Sequence, residues 1–165
     1  MKKSSFFISA GFVCLLLTCS GIKAQTVKAK KNLEASHIIN EAFRTGDISK
    51  LDRVIASDFV DHTDRGDMGR DSLKAMIKWM HSQPNDMKME LIREFADDEY
   101  VYSHMRFTGT SDGSMGPVGP YDINEIEVIR FNKEGKAVEH WAFMELRQVM
   151  KLMSMPPEPT ADKKN

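Results

Sequence analysis

The apolar residues of this chain change period once, and that change limits the folds open to it. Up to about Gln83 they recur at three- and four-residue steps; from Met87 they alternate with polar ones. The first period is that of helices buried on one face, the second that of strands buried on one face. Leu33, Ser36, Ile39 and Phe43, with Ile38 and Ala42 beside them, predict an amphipathic helix with Asn32 as N-cap and Gly46 as stop. Asp47 is expected to cap a short second helix carrying Leu51, Val54 and Ile55, and Phe59–His62 reads as a short extended piece. Thr63 to Gly69 is crowded with Asp, Arg and Gly and reads as a loop. Asp71 then opens a third helix with Leu73, Met76, Ile77 and Met80 on one face, ended by Gln83-Pro84-Asn85-Asp86.

Beyond it, four strands are expected. Met87, Met89 and Leu91 alternate towards Phe95, and Tyr100 to Thr108 sets Val101, Ser103, Met105 and Phe107 against Tyr100, Tyr102, His104 and Arg106. Tyr121–Phe131 and Lys136 to about Glu145, the latter continuing towards Met150, flank Asn132-Lys133-Glu134-Gly135, a hairpin turn signal. Helices followed by consecutive strands mean α+β with a mostly antiparallel sheet, and three N-terminal helices over a curved sheet would form a cone.

The ends carry no fold information. Lys2 and Lys3, the uncharged run Phe6–Thr18 and the small residue Ala24 have the layout of a secretory signal peptide over residues 1–24. The apolar run falls short of the roughly 20 residues that a membrane span needs. Cleavage after Ala24 would leave 141 residues of net charge −4 and remove both cysteines, Cys14 and Cys19, so thiolate chemistry and disulfides are excluded from the mature chain. Export to a periplasm or to the medium is expected; a lipoprotein anchor through Cys19 is the second reading, with Thr18 a poor fit before it. Residues 25–31 read as a flexible lead-in, 32–153 as one domain and 154–165 as a disordered tail. The charge leaves no basic footprint for nucleic acid, and no stable membrane anchor is expected.

Several strings, in this order, resemble the SnoaL-like polyketide cyclase branch of the nuclear transport factor 2-like superfamily. They are Asn40 to Asp47 with its Gly-Asp helix break, Ser57-Asp58-Phe59-Val60-Asp61-His62, Gly69-Arg70-Asp71-Ser72-Leu73 and Phe107-Thr108-Gly109-Thr110. The best match runs from Val128-Ile129-Arg130-Phe131 through Gly135-Lys136-Ala137-Val138-Glu139-His140-Trp141, and the resemblance spans roughly Leu33 to Met153. It implies the cone-shaped fold, a pocket for a small apolar or aromatic molecule, a homodimer through the outer sheet face, and cofactor-free acid/base chemistry such as cyclisation or isomerisation. A non-catalytic binding or interaction module on the same fold is the alternative. In the cyclases of that branch an Asp two residues after the histidine is the general acid/base; aligned on Glu139-His140-Trp141, that position is Ala142 here.

The same alignment places Glu125 and Glu127 among pocket-lining positions. Residues i and i+2 of a strand share a face, about 7 Å apart. Two carboxylates that close in an apolar pocket repel each other and lose hydration, which raises at least one pKa towards neutrality. Glu127 is therefore the candidate for proton transfer, with Glu125 tuning it. The competing reading is a solvated strand face with Ile126 and Val128 turned to the core, and the strand pattern alone leaves both open. His62, Tyr102, His104, His140 and Met144 complete the candidate ligand-binding set; a loop hydrogen bond for His62, a structural role for His140 and a half-buried sheet face for Tyr102 and His104 are the other readings. Trp79 has core spacing, and Trp141 is expected to pack behind the sheet. No metal is expected: Asp58, Asp61, His62 and Asp64 cluster in sequence, but a strand alternates their directions and no His-x-x-x-His spacing occurs. Nor does the Gly-rich stretch 113–119 precede a helix as a phosphate-cradling loop must.

Overall fold

The computed structural model describes residues 25–83, 86–113 and 118–152. The expected signal peptide (1–24) and tail (154–165) lie outside the described residues. α1 is Val27–Thr45. It begins five residues before the Asn32 expected as its cap, because Thr26 offers a hydroxyl that accepts from Ala29 N at 3.0 Å and nothing in Val27–Lys31 breaks a helix. Residues expected as a flexible lead-in thus form the first turn of α1. Asn32 is instead a fully buried interior residue whose Nδ2 donates to the Asp97 carbonyl at 3.3 Å. The stop is as expected. Gly46 takes φ 77° and donates to Ala42 O at 2.8 Å, and a Cβ there would also strike the His81 ring at 2.8 Å.

α2 is a single turn, Leu51–Val54, capped by no side chain; Asp47 closes a local turn onto Ser49 N at 2.9 Å instead. Ile55, expected in that helix, opens β1, Ile55–Thr63. The expected loop after it is a hairpin: β2, Gly66–Gly69, pairs back in the register His62↔Asp67. α3, Arg70–Ser82, buries Leu73 and Ile77 and leaves Trp79 44% exposed, so the core spacing of Trp79 does not bury it.

The long strands follow as β3 (Lys88–Ala96), β4 (Tyr100–Ser111), β5 (Gly119–Phe131) and β6 (Ala137–Met144); where the last strand is expected to run on towards Met150, the chain instead forms a helix, α4 (Leu146–Leu152). Asn132 makes the β5–β6 turn, its Oδ1 accepting from Glu134 N and Lys136 N at 3.0 Å while Gly135 takes φ 75°. α4 is tied back to β5 by a pair of bonds between the Gln148 amide and the backbone of Asn124.

The sheet corrects the expected architecture. Its order is β2-β1-β6-β5-β4-β3, and β1 runs parallel to β6 while the other pairings are antiparallel. It is an open mixed sheet with edges at β2 and β3, not a curled, cone-shaped one, and among the described residues there are four helices, one of them after the last strand. The physical reason is that periodicity reports which face of a strand is buried but says nothing of its neighbours. The parallel return of β1 beside β6 and the lack of closure are both matters of long-range pairing.

The core lies between one face of this sheet and α1–α3. Leu51, Ile55, Ile77, Val101 and Phe131 are its most enclosed large side chains. Among the described residues no helix is long and apolar enough to cross a membrane.

Candidate functional site

The pairing register assigns each strand residue to a face. One row across the sheet is Glu94–Ser103–Glu127–Ala142, the next Leu91–Met105–Glu125–Met144, and on the other side Ala96–Val101–Ile129–His140–Asp61. Val101, Ser103, Met105 and Ile129 are buried, so this is the face beneath the helices. Glu125 and Glu127 therefore turn inward, with His140 diagonally beside Glu127 at a distance that long side chains bridge.

His140 is held by a residue that periodicity does not single out. Asp61 of β1 is only 5% exposed, and its Oδ1 accepts from His140 Nδ1 at 2.7 Å. The bond places the proton on Nδ1 and leaves Nε2 for whatever occupies the space beyond. Burial works against a charged imidazole here, but the bond and charge of Asp61, joined by Glu127 and Glu125, outweigh it and move the His140 pKa up.

The glutamates move for the opposite reason. Burial pushes Glu127 up to about 7; the charge of His140 opposes the shift, and Glu125 and Asp61 add to it. Glu125 is raised by burial as well, again against His140. Neither carboxylate makes a hydrogen bond or salt bridge among the described residues. Ile39, Asn40 and Phe43 of α1, with Phe59 and Leu73, close over Glu127 and His140 to leave a recess of about 30 Å³. That is about one water's share of liquid volume. Ala142, directly across from Glu127, is exposed, so the inner face opens to solvent on that side.

The structure brings Glu125, Glu127, His140 and Met144 onto one face and puts His62, Tyr102 and His104 on the other. His62 stacks on Trp141, ring centroids 4.9 Å apart, and its Nδ1 bonds Asp67 at 3.0 Å. Trp141 is thus behind the sheet, as expected. Tyr102 stacks on Phe95 at 4.7 Å, and His104 faces Arg93 and Ile126 in register. The reason is parity: each precedes or follows by one residue a side chain that points inward, namely Asp61, Ser103 and Met105. No local signal marks Asp61, whose partner lies 79 residues away. Among the described residues no group of three or more His, Cys, Asp or Glu is placed to hold a metal ion.

Comparison with known proteins bears on the fold. The structure is similar to that of TsrD from Streptomyces laurentii (17% identity, TM-score 0.62, covering 75% of this chain and 95% of that one). It is also similar to Bal32a from a soil-derived mobile gene cassette (20%, 0.62, 76% and 98%) and to IdmH from Streptomyces antibioticus (20%, 0.59, 74% and 98%). At these identities the likeness is one of fold. No curated protein matches. The family model described as SnoaL-like polyketide cyclase matches residues 34–152, and the chain belongs to that family.

Proposed function

We propose that this protein binds a small apolar or aromatic molecule on the inner face of the sheet and moves a proton there without a cofactor, Glu127 being the transferring group. The observation that carries this reading is an inward carboxylate with no bonding partner among the described residues, next to the Asp61–His140 pair and under apolar side chains. A pKa near the working pH is what a general acid or base needs, since both protonation states are then accessible. In this scheme Asp61 orients His140, the free Nε2 of His140 binds or polarises the ligand, and Glu125 keeps Glu127 from ionising too readily. The molecule enters past Ala142 and Met144, because the recess over Glu127 admits little more than one of its groups.

The test is a carboxyl carbon NMR titration of residues 25–165, repeated with neutral cyclic ketones and phenols. The expected result is a Glu127 midpoint of about 7, well above the ordinary ~4.3, with ligand-induced shifts at Glu127 and His140. Ordinary midpoints for both glutamates and no shift with any ligand would sink the reading. Where a substrate turns over, Glu127→Gln should lower the rate by about 10²-fold or more, and retained turnover would remove Glu127 from that role.

Ala142 favours a second reading, binding without turnover, because it stands where the family's cyclases carry their acid. Ligand shifts without turnover would select it. Ala142→Asp should then add reactivity towards cyclase-type substrates; no change would show that the pocket differs in more than that residue. The opposite face carries the proposed contact with a second copy: Phe95, Ile126 and Phe143 are 62%, 42% and 56% exposed there. Light scattering of wild type and Phe143→Glu checks it. We further propose that residues 1–24 direct export, which N-terminal sequencing of the secreted form would test.

A further inference from the structure

We propose that the molecule taken by this inner face carries a protonated amine beside its apolar body; the inference rests on the binding reading above and names the ligand class. It follows from the charges that meet at Glu127. β5 supplies Glu127 and Glu125, β1 supplies Asp61 and β6 supplies His140. β4 contributes only Ser103 and Met105, and α1 contributes Asn40 to the recess. Further along the same row, Glu94 of β3 is bonded to His37 of α1 at 2.7 Å. Every lysine and arginine of the strands falls on the other face: Lys88, Arg93, Arg106 and Arg130 pair in register with Thr108, His104, Asn124 and Tyr100.

Asp61 and His140 compensate each other. Among the described residues Glu125 and Glu127 have no hydrogen bond, and the imidazolium beside them, His140, is already paired with Asp61, so three carboxylates share one cation. A carboxylate in that position either takes up a proton or meets a cation from outside. An ammonium group supplies the charge together with three donors for oxygens that have none. It also fits the space: a recess of about 30 Å³ accepts an ammonium head and excludes a ring. Phe43 and Phe59 line that recess, and aromatic faces attract cations. A ligand carboxylate would add another anion to a face already dominated by them. On arrival the ammonium stabilises both glutamates as anions, so binding near neutral pH releases a proton.

Benzylamine, benzyl alcohol and benzoate share a ring and differ in the charge of the head group. Their binding to the whole mature protein would be measured by calorimetry at pH 7.5 and 5.5, in buffers of different ionisation enthalpy. We expect benzylamine to bind at least tenfold more tightly than benzyl alcohol at pH 7.5, and benzoate most weakly. Proton release should accompany the amine alone, and its advantage should shrink at pH 5.5. The Glu125→Gln/Glu127→Gln double variant should bind the amine and the alcohol within about twofold. Equal affinities, or benzoate strongest, would overturn the amine inference while leaving the binding reading in place. No binding of any of the three, with no NMR shift at Glu127, would overturn both. The wild-type comparison stands by itself if the double variant fails to fold.

Discussion

The two faces of the sheet treat charge differently. On the outer face Arg106 meets Asp122 at 2.8 Å, Arg130 bonds Glu139, and His62 lies between Asp67 and Glu139. These groups are partly or well exposed, so water shares in solvating them and each pair contributes little to stability. On the inner face the Asp61–His140 pair is enclosed, and Glu125 and Glu127 have neither a bonding partner among the described residues nor full access to water. Exposed charge that is paired is ordinary surface. Enclosed charge that is unpaired costs stability, and its retention at two neighbouring positions is what supports the proposed site.

The largest effect expected from breaking this contrast is at Asp61. Asp61→Ala removes the group that holds His140 and should cost about 3 kcal/mol, read from urea denaturation at neutral pH. Asp61→Asn should keep more of the stability yet lower the His140 pKa, seen in imidazole proton shifts. An unchanged His140 titration would mean that Asp61 does not control it.

Next comes Glu127→Gln, which should stabilise. The folded-state pKa of Glu127 is raised, so its stabilising contribution is whole below about 4.5 and is lost as pH rises through about 7. Replacing it should therefore gain stability at pH 8, by up to about 3 kcal/mol for the full shift, and gain nothing near pH 4. A variant that is less stable than wild type at pH 8 would show that the carboxylate is compensated after all. Smallest is Arg106→Ala on the outer face, which should barely move the urea midpoint and should do so less at high salt. A loss as large as that of Asp61→Ala would abolish the distinction between the faces.

Much of this was legible from local pattern. Glu125 and Glu127 had to share a face, and His140 had to share one with Ala142, because side chains on a strand alternate whatever the rest of the chain does. The same rule separated Tyr102 and His104 from Ser103 and Met105, so any site containing Ser103 excluded both. Only the alternation was local, however. Which set faces inward depended on α1, α2 and α3 covering one side of the sheet, and the mixed composition of β5 could not reveal that side. Asn32 and Asp47 looked like helix caps, but Thr26 and Lys50 hold those places, because packing and the preceding turns set where each helix begins.

By itself the sequence determined the order of α1 to α3 and of β3 to β6, the Gly46 stop, the Asn132 turn and the grouping of strand residues by parity, all of which depend on neighbours within a few positions; β2 and α4 it did not show. Tertiary structure alone decided that β1 returns parallel to β6, that the sheet stays open, and that Asp61 reaches His140. Those outcomes depend on which strands pair across tens of residues. The free energy of that pairing comes from burying whole faces, and no short window of sequence contains it.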